Sequence, residues 1–461
     1  MTVPLTDIPT LDERWLAFVE RTRGLFAVYP FMLPLRQAIF KDLVERRKVL
    51  SAKDQAKGLA RPLLKRQGSV GEFSPVDVAF WLESSREVLT EAILPVQRAV
   101  QAAGLRVALV AAPAVHAQLQ GTSPAPILFQ VPFQRFPAAP WQAAWSALNE
   151  CLPHDLKRES RAAFLEMGQA SQNSVAEAKA VLAKLRPRLL VLPVDQLLTG
   201  SAACVAAREL GIATLVLLHG AVSPYNVPLT ADRMGVWGDV SRDQLVALGV
   251  PPDDLVILGS PRHDHFPAPV PPDVKTRLRS ALGLPELPVM VFFSNGNDPR
   301  RNSHEAVAGC AAWLDEVAAR LRGQMSFIVR LHPNEDGGFY KDCTHLQVFK
   351  HEADLATTLA GADVCGALCS TTLVDALLYD KPVLQFYADG WPDLADNWRR
   401  GLAKRVANAD ELAEVLAGGL SDGWQALAAS QAARVDDVFA YRGRATQTVA
   451  DYIAEQVGQR V

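Results

Sequence analysis

The chain has 461 residues, of which 49% are hydrophobic and 21% are charged, and its formal net charge is −3 at pH 7. This composition is typical of a soluble globular protein, it argues against extensive disorder, and the length favours two domains of ordinary size. The small net charge gives no reason to expect a nucleic acid partner. No window approaches the roughly 18 uninterrupted apolar residues of a membrane-spanning helix, so none is predicted.

Residues 1–75 are predicted to form a helical, basic N-terminal extension. From Arg36 to Arg66 there are ten Lys or Arg residues against three Asp or Glu residues. We interpret this charge as a solvated helix face that packs on the rest of the protein, and the alternative is a patch that contacts anionic lipid at the inner membrane. The six cysteines contain no CxxC pair and are predicted to be reduced, which indicates a cytoplasmic protein, or one peripherally attached to the inner membrane under the alternative.

Residues 76–266 alternate short apolar runs with helical stretches. The runs include VDVAFWL, LRVALVAA, RPRLLVLPV, IATLVLLHG and LVILGSP. Continuous apolar runs separated by helices are typical of parallel strands that are buried on both faces. The pattern predicts a first Rossmann-like domain.

A proline-rich segment follows, and the alternation restarts at residue 288. The apolar runs VMVFFSNGN, SFIVRLHP, DVCGALCS and PVLQFY predict a second Rossmann-like domain over 288–420. Residues 421–461 are predicted to be C-terminal helices that pack back. The predicted fold class is therefore α/β, with two Rossmann-like domains facing a cleft. Because ligands bind at the carboxyl ends of the strands in such sheets, the strand ends of both domains should line that cleft.

Three residues of the first domain are candidates for chemistry. His219 follows the strand IATLVLL and could act in the cleft, or it could cap the strand through a backbone hydrogen bond. Asp232 is expected near the mouth of the cleft as a candidate general base or nucleophile, and the alternative is a turn-forming residue. Arg262 lies in the turn GSPRHD. The neighbouring His263, Asp264 and His265 do not indicate a metal site, because adjacent residues of an extended strand point to alternate faces.

The second domain offers a set of residues that could bind phosphate. Proline cannot continue a central strand, so Arg330 and His332 should lie where the strand SFIVR ends. Ser370 and Thr371 precede a helix, where hydroxyl groups and free N–H groups favour anions, although a plain helix cap would use the same residues. We expect them and His332 to lie on successive strand ends of one sheet. Ser294 and Asn295 form a turn whose N–H groups could meet a phosphate. No P-loop motif occurs in the chain.

These motifs resemble those of GT-B glycosyltransferases of the bacterial capsule and surface-polysaccharide type. The resemblance covers roughly residues 76–415 and depends on LHG, GSPRHD, RLHP and the segment STTLVDALLYDKPV. The last two are similar to motifs of Kdo and sialic-acid transferases and of CDP-glycerol transferases. One departure is that the acidic pair Glu335 and Asp336 directly follows the HP motif, whereas sialyltransferases of this type place such a motif well before it.

The resemblance implies a metal-independent enzyme without a cofactor, in which 76–266 binds the acceptor and 288–420 binds the nucleotide donor. It implies donor binding by His332, Ser370 and Thr371, to which the residues themselves add Arg330, Ser294, Asn295 and Arg262, and chemistry by Asp232 or His219. The expected reaction moves a sugar, Kdo or another acidic sugar, from a CMP-sugar to a glycan or glycolipid acceptor, although CDP- and UDP-linked donors remain open. The alternatives are a CDP-glycerol-type polyol-phosphate transferase, a nucleotide-sugar 2-epimerase, and a non-catalytic nucleotide-sugar-binding scaffold.

Overall fold

The computed structural model describes residues 11–43, 74–84, 86–111, 113–119, 127–128, 134–152, 161–266, 271–294, 304–333, 335–391 and 396–458. The chain divides into two compact units. The first comprises Met1–Asp264 and Ala440–Val461, and the second comprises His265–Phe439. Within the described residues, no helix is both long enough and apolar enough to cross a lipid bilayer. The basic residues Arg46, Arg47 and Lys48 lie outside the described residues.

The first unit contains a parallel sheet that has seven strands within the described part of the chain. Its strands are β1 (Val78–Leu82), β2 (Val107–Ala111), β3 (Ile127–Leu128), β4 (Leu189–Leu192), β5 (Ala213–Leu217), β6 (Arg233–Val236) and β7 (Leu255–Ile257). They lie in the order β3-β2-β1-β4-β5-β6-β7, and every pair of neighbours is parallel. Strands β1 and β4 are buried at every position, as expected for a sheet covered by helices on both faces.

The helices of the first unit are α1 (Leu11–Val28), α2 (Arg36–Leu43), α3 (Glu87–Ala102), α4 (Pro113–Gln118), α5 (Ala139–Cys151), α6 (Arg161–Leu185), α7 (Leu198–Glu209), α8 (Asp239–Ala247) and α16 (Ala445–Gly458). Helix α16 begins where Asp264 accepts hydrogen bonds from the N–H groups of Ala445 and Thr446, at 2.8 and 2.6 Å. The carboxylate therefore caps the helix that returns to this unit.

The described part of the N-terminal extension packs into an aromatic core of the first unit. Trp15 stacks on Tyr225, with ring centroids 5.0 Å apart, and meets Phe40 edge to face. The indole N–H of Trp15 donates to the carbonyl oxygen of Pro224 at 2.8 Å. Tyr225 lies in the loop that follows β5 and also contains His219, so these contacts attach α1 to that loop.

The second unit repeats the architecture with a six-stranded parallel sheet in its described residues. Its strands are β8 (Val289–Phe293), β9 (Ser326–Arg330), β10 (Gln347–Phe349), β11 (Val364–Ala367), β12 (Val383–Phe386) and β13 (Lys404–Val406). The strand order is β10-β9-β8-β11-β12-β13, again with parallel neighbours. Two Rossmann-like sheets, with helices at both ends of the chain, confirm the predicted fold class.

The helices of the second unit are α9 (Val274–Leu282), α10 (His304–Arg320), α11 (Leu355–Gly361), α12 (Thr372–Leu377), α13 (Ala409–Asp422), α14 (Gln425–Ala432) and α15 (Val435–Val438). Local sequence explains several of their ends. Asp354 caps α11 by accepting from the N–H of Thr357, and Asn408 caps α13 in the same way. The segment predicted as C-terminal helices is divided, since α14 and α15 belong to the second unit and α16 to the first.

Candidate functional site

The strand order determines which residues can meet at the edge where the strands end, here called the carboxyl edge. In the first sheet the order reverses between β1 and β4, and in the second sheet it reverses between β8 and β11. The loops that leave the two strands at such a point diverge to opposite faces, and the crevice they leave is where ligands bind in open α/β sheets. The residues that directly follow these four strands are therefore the first candidates.

Glu83 follows β1 at the reversal point of the first sheet. Its Oε2 accepts hydrogen bonds from the hydroxyl of Thr199 and, at 2.9 Å, from the N–H of Gly200, both in the first turn of α7. A Cβ at Gly200 would lie 2.2 Å from the carbonyl oxygen of Val194, so only glycine fits there. Within the described residues, Oε1 of Glu83 is buried without a hydrogen-bond partner. Burial raises the pKa of this carboxyl group, which favours its protonated form.

His219 lies two residues beyond the end of β5, at the same edge. Its Nδ1 is 2.9 Å from the carbonyl oxygen of Pro193, which follows β4. Because a carbonyl can only accept, Nδ1 carries the proton and Nε2 is left as an acceptor. Burial, together with the positive charges of Arg262 and Arg86, lowers the pKa of His219. The ring is therefore held neutral, in the tautomer that a general base requires.

Asp195 is a second carboxylate near the end of β4, and it is only 1% exposed. Its Oδ2 accepts from the N–H groups of Thr230 and Ala231 at 2.6 and 3.0 Å, and its Oδ1 accepts from the Gln196 side chain at 3.1 Å. The side chain of Gln196 also accepts from the guanidinium of Arg36 at 2.7 Å. Because both carboxylate oxygens accept hydrogen bonds and the group is buried, we assign Asp195 the structural role of holding the loop that contains Thr230 and Ala231.

The structure places Asp232 away from the predicted site. It precedes the first residue of β6, Arg233, and therefore lies at the edge where the strands begin. Its Oδ2 accepts from the N–H and the hydroxyl of Thr214, each at 2.8 Å, and its own N–H donates to that hydroxyl at 2.7 Å. The expectation that Asp232 lies at the mouth of the cleft is corrected: it links the beginnings of β5 and β6, in the turn-forming role that was the alternative.

Arg262 belongs to the first unit, and it follows β7 in a short 3-10 helix, Pro261–His263. Its Nε donates to a carboxylate oxygen of Glu91 on α3 at 3.1 Å, and its side chain is only 11% exposed. The other polar residues of the motif GSPRHD have structural partners. Nδ1 of His263 lies 2.6 Å from the hydroxyl of Ser260, and Asp264 caps α16. Arg262 therefore influences His219 by its charge, and it lies in the other unit from the remaining predicted donor-binding residues.

Ser294 follows β8, at the reversal point of the second sheet, but its hydroxyl is already engaged. It donates to Oε1 of Glu335 at 2.7 Å and accepts from the hydroxyl of Tyr340 at 2.7 Å. Ser294 is 6% exposed and Glu335 is 2% exposed. The expectation from the sequence is that the backbone N–H groups of this turn meet a phosphate. The N–H of Ser294 instead donates to the carbonyl oxygen of Arg330 at 2.9 Å, which corrects that expectation for Ser294. Asn295 lies outside the described residues.

Arg330 is the last residue of β9 and His332 follows the strand, and their side chains have different surroundings. Nη1 of Arg330 donates to the hydroxyl of Thr358 on α11 at 2.7 Å, and its guanidinium lies over the ring of Phe349, 5.9 Å from the centroid. Burial lowers the pKa of Arg330. His332 is exposed, and its backbone N–H donates to Oε2 of Glu335 at 3.2 Å. Of the two, His332 is the more accessible to a ligand.

Ser370 and Thr371 stand between β11 and the short helix α12, and both are partly exposed. Oγ of Ser370 accepts from the N–H of Thr372 at 3.1 Å, which is a helix-cap interaction. The hydroxyl of Thr371 makes no such cap contact. Strand β8 lies between β9 and β11, so His332 and Ser370 are on strands about 10 Å apart and not on adjacent strands as predicted.

Of the comparisons with known proteins, the comparison of structures found similar proteins. No family model matches the chain, and no curated protein sequence matches it. The Staphylococcus aureus MnaA–UDP structure matches with a TM-score of 0.54 and 11% identity, over 83% of this chain and 97% of that one. The UDP-GlcNAc 2-epimerase of Neisseria meningitidis, bound to UDP-GlcNAc, gives 0.52 and 12%, over 83% and 100%. A Rickettsia africae glycosyltransferase gives 0.52 and 12%, over 84% and 99%.

At these identities the similarity establishes a shared fold, and residue roles must come from this chain's own geometry. The matched proteins include a UDP-GlcNAc 2-epimerase and a glycosyltransferase, and each of the three matches covers nearly the whole of the matched protein. Both Rossmann-like units are therefore part of the similarity. The chain has a two-domain GT-B-like fold of the kind found in UDP-GlcNAc 2-epimerases and in glycosyltransferases.

Proposed function

We propose that this protein acts on a UDP-linked sugar and breaks the bond between the anomeric carbon and the diphosphate, as an epimerase that inverts C2. The observation that carries the proposal is the pair formed by His219 and Glu83. Both residues follow strands at one edge of the first sheet, and their pKa values are shifted in opposite directions, which favours the neutral form of His219 and the protonated form of Glu83. Two titratable groups whose environments push their pKa values apart are the usual arrangement for paired base and acid chemistry.

The spacing of this pair fits a reaction on a sugar ring. Glu83 follows β1 and His219 follows β5, and β4 lies between these two strands. The strands are therefore about 10 Å apart, which is the scale of separation needed for two side chains to act on opposite faces of one sugar ring. Inversion at C2 needs a proton to be removed from one face of the sugar and another to be delivered to the opposite face.

The bonds of this reaction balance without an added reactant. Nε2 of His219 takes the proton from C2, a double bond forms between C1 and C2, and the C1–O bond breaks with its electrons on the diphosphate. Glu83 then donates its proton to the opposite face of C2, the diphosphate oxygen bonds to C1 again, and later proton exchange with solvent restores both side chains. The leaving diphosphate needs positive or N–H partners. His332 and the hydroxyl-rich turn of Ser370 and Thr371 are our candidates for them.

The comparisons guide the choice of nucleotide. One matched structure contains UDP and another contains UDP-GlcNAc. We therefore take a UDP-linked sugar as the substrate in place of the CMP-Kdo expected from the sequence resemblance, for which the structural comparison gives no support. The structural comparison also gives no support for transfer onto a capsule or lipopolysaccharide acceptor.

Glycosyl transfer to a hydroxyl acceptor is the second candidate. A single neutral base is sufficient to deprotonate an acceptor hydroxyl as the anomeric bond breaks, and His219 alone could supply it. A glycosyltransferase is also among the matched structures. Under this candidate Glu83 has no proton to deliver, so replacement of Glu83 separates the two reactions.

Calorimetric titration of the whole protein with UDP, CDP and CMP tests the substrate class. We expect UDP to bind at least about tenfold more tightly than CMP, and His332→Ala to weaken UDP binding by a similar factor through the loss of a phosphate contact. Equal binding of CMP would contradict the choice of nucleotide. If the folded protein binds none of the three nucleotides, the proposed function is wrong.

A further inference from the structure

The turn that carries His332 is closed by two hydrogen bonds to one residue. The N–H of Glu335 donates to the carbonyl oxygen of His332 at 2.9 Å, which forms a four-residue turn with Pro333 in its second position. Proline is favoured there because its fixed φ matches the turn. The side chain of Glu335 also folds back, and its Oε2 accepts from the N–H of His332 at 3.2 Å. Both backbone polar groups of His332 are thus bound to Glu335.

The other carboxylate oxygen of Glu335 connects this turn to the neighbouring strand. Oε1 accepts from the hydroxyl of Ser294, which follows β8, and Ser294 accepts from the hydroxyl of Tyr340, each at 2.7 Å. Tyr340 lies in the 3-10 helix Gly338–Tyr340 and is 3% exposed. The three side chains form a buried chain of hydrogen bonds, called here the Tyr340–Ser294–Glu335 relay.

The direction of the relay follows from its chemistry. Burial raises the pKa of Tyr340, so its hydroxyl keeps its proton and donates. Ser294 has a single hydroxyl proton, and because its oxygen accepts from Tyr340, it gives that proton to Oε1 of Glu335. Glu335 therefore receives hydrogen bonds at both oxygens, and hydrogen bonds arranged in one direction strengthen one another in a buried setting.

We infer that Glu335 is a positioning residue that, supported by the relay, sets the orientation of His332 for a nucleotide phosphate. This inference depends on the proposed function, in which His332 contacts the diphosphate. The relay arises from β8, and a phosphate at the reversal point between β8 and β11 would lie next to it. The acidic residue after the HP motif thus holds the motif in place and takes no part in proton transfer.

A double-mutant cycle on UDP affinity tests whether Glu335 acts through His332. A glutamine at 335 keeps one acceptor oxygen but places an NH2 group against the second partner, so Glu335→Gln should weaken UDP binding about tenfold. His332→Ala should weaken it by at least as much. If Glu335 acts through His332, the double variant should match His332→Ala within about twofold, because the interaction it supports has already been removed.

Asp363→Asn is the matched control. Asp363 is a carboxylate of the same unit that accepts from the N–H of Val289 at 2.9 Å, where β8 begins, at the opposite edge of the sheet. We expect this variant to lower the melting temperature while UDP affinity stays within about twofold of wild type. If Glu335 had only a general structural role, the double variant would bind UDP about tenfold more weakly than His332→Ala does. That additive result would overturn the inference.

A measurement without ligand separates this inference from the proposed function. In protein labelled with 13C at histidine, Tyr340→Phe should move the Cε1–H signal of His332, whose backbone is bonded to Glu335, and leave those of His219 and His263 in place, because these two belong to the first unit. An unmoved His332 signal would overturn the inference even if UDP binds. Failure of wild-type protein to bind UDP, with the His332 signal moved by Tyr340→Phe, would instead reject the proposed function and keep the positioning of His332.

Discussion

The Nδ1–H of His219 donates a hydrogen bond to the carbonyl oxygen of Pro193 at 2.9 Å, and this contact fixes both the tautomer and the orientation of the ring. Because β4 and β5 are neighbours in the sheet, the bond joins the ends of two adjacent strands. The ring presents Nε2 as an acceptor, and the lowered pKa keeps that nitrogen free of a proton near neutral pH. The backbone of β4 therefore prepares His219 as a base.

Replacement of this base should abolish most of the turnover while nucleotide binding is retained. His219→Gln can still donate its amide N–H to Pro193, but it offers no group that titrates near neutral pH. We expect turnover of the UDP-sugar to fall about 10²–10⁴-fold, the range associated with loss of a general base. UDP affinity, measured by calorimetry, should stay within about twofold. Turnover within tenfold of wild type would exclude His219 as the base.

The pH dependence of kcat/KM should report the environment of His219. Protonation of the ring removes the base, so activity should fall as the pH decreases, and the midpoint should lie below the ordinary histidine value of 6.5. Arg262→Gln removes a positive charge that lowers this pKa, so the acidic midpoint should move to higher pH. Arg106→Gln is the control, since Arg106 pairs with Asp77 near the beginning of β1 and should leave the midpoint in place. A midpoint that moves to lower pH in Arg262→Gln would contradict this assignment.

Thr199→Val should change the pKa of Glu83 in a predictable direction. The hydrogen bond from the hydroxyl of Thr199 stabilises the ionised carboxylate and lowers its pKa, in opposition to burial. Without that hydroxyl the pKa of Glu83 should rise further above its ordinary value. If protonated Glu83 is the acid, the alkaline midpoint of kcat/KM should therefore shift to higher pH. The pH–rate profile measures the shift, and an unchanged alkaline limb would mean that Glu83 is not the acid.

Asp232→Asn should reduce stability and spare activity. One carboxylate oxygen of Asp232 accepts two hydrogen bonds from Thr214, and the amide oxygen of an asparagine in its place would accept both more weakly. We expect a loss of about 1 kcal/mol in the free energy of unfolding, measured with urea, and turnover within twofold of wild type. Loss of turnover with unchanged stability would return Asp232 to the candidate catalytic residues.

Much of the fold could be predicted from the sequence because buried parallel strands are continuous apolar runs. The predicted alternation from VDVAFWL to PVLQFY corresponds to strands β1 to β12. The order of the strands in each sheet could not be predicted in this way, because it depends on which apolar runs pair in space. The sequence placed His332 and Ser370 on successive strand ends, whereas β8 lies between their strands. Periodicity contains no information about that insertion.

The candidate site was only partly predictable for related reasons. His219 was found because it directly follows an apolar run, and the same rule applied to VAFWL would have found Glu83. Asp232 was misplaced because the loop from Leu218 to Asp232 crosses from one edge of the sheet to the other, and its sequence does not show the edge at which it ends. The burial of Ser294 depends on Glu335 and Tyr340, which approach it only in the folded unit.

Incubation of the protein with UDP-GlcNAc in D2O, followed by proton NMR, tests the central claim most directly. In D2O the carboxyl group of Glu83 carries deuterium, so its delivery to C2 should replace the C2 hydrogen of the sugar with deuterium. A second UDP-linked sugar with the opposite configuration at C2 should appear. His219→Gln should abolish the exchange. Release of UDP with no deuterium at C2 would favour transfer over epimerisation. A substrate that stays intact, with neither exchange nor UDP release, would contradict the claim that this protein breaks the anomeric bond of UDP-GlcNAc.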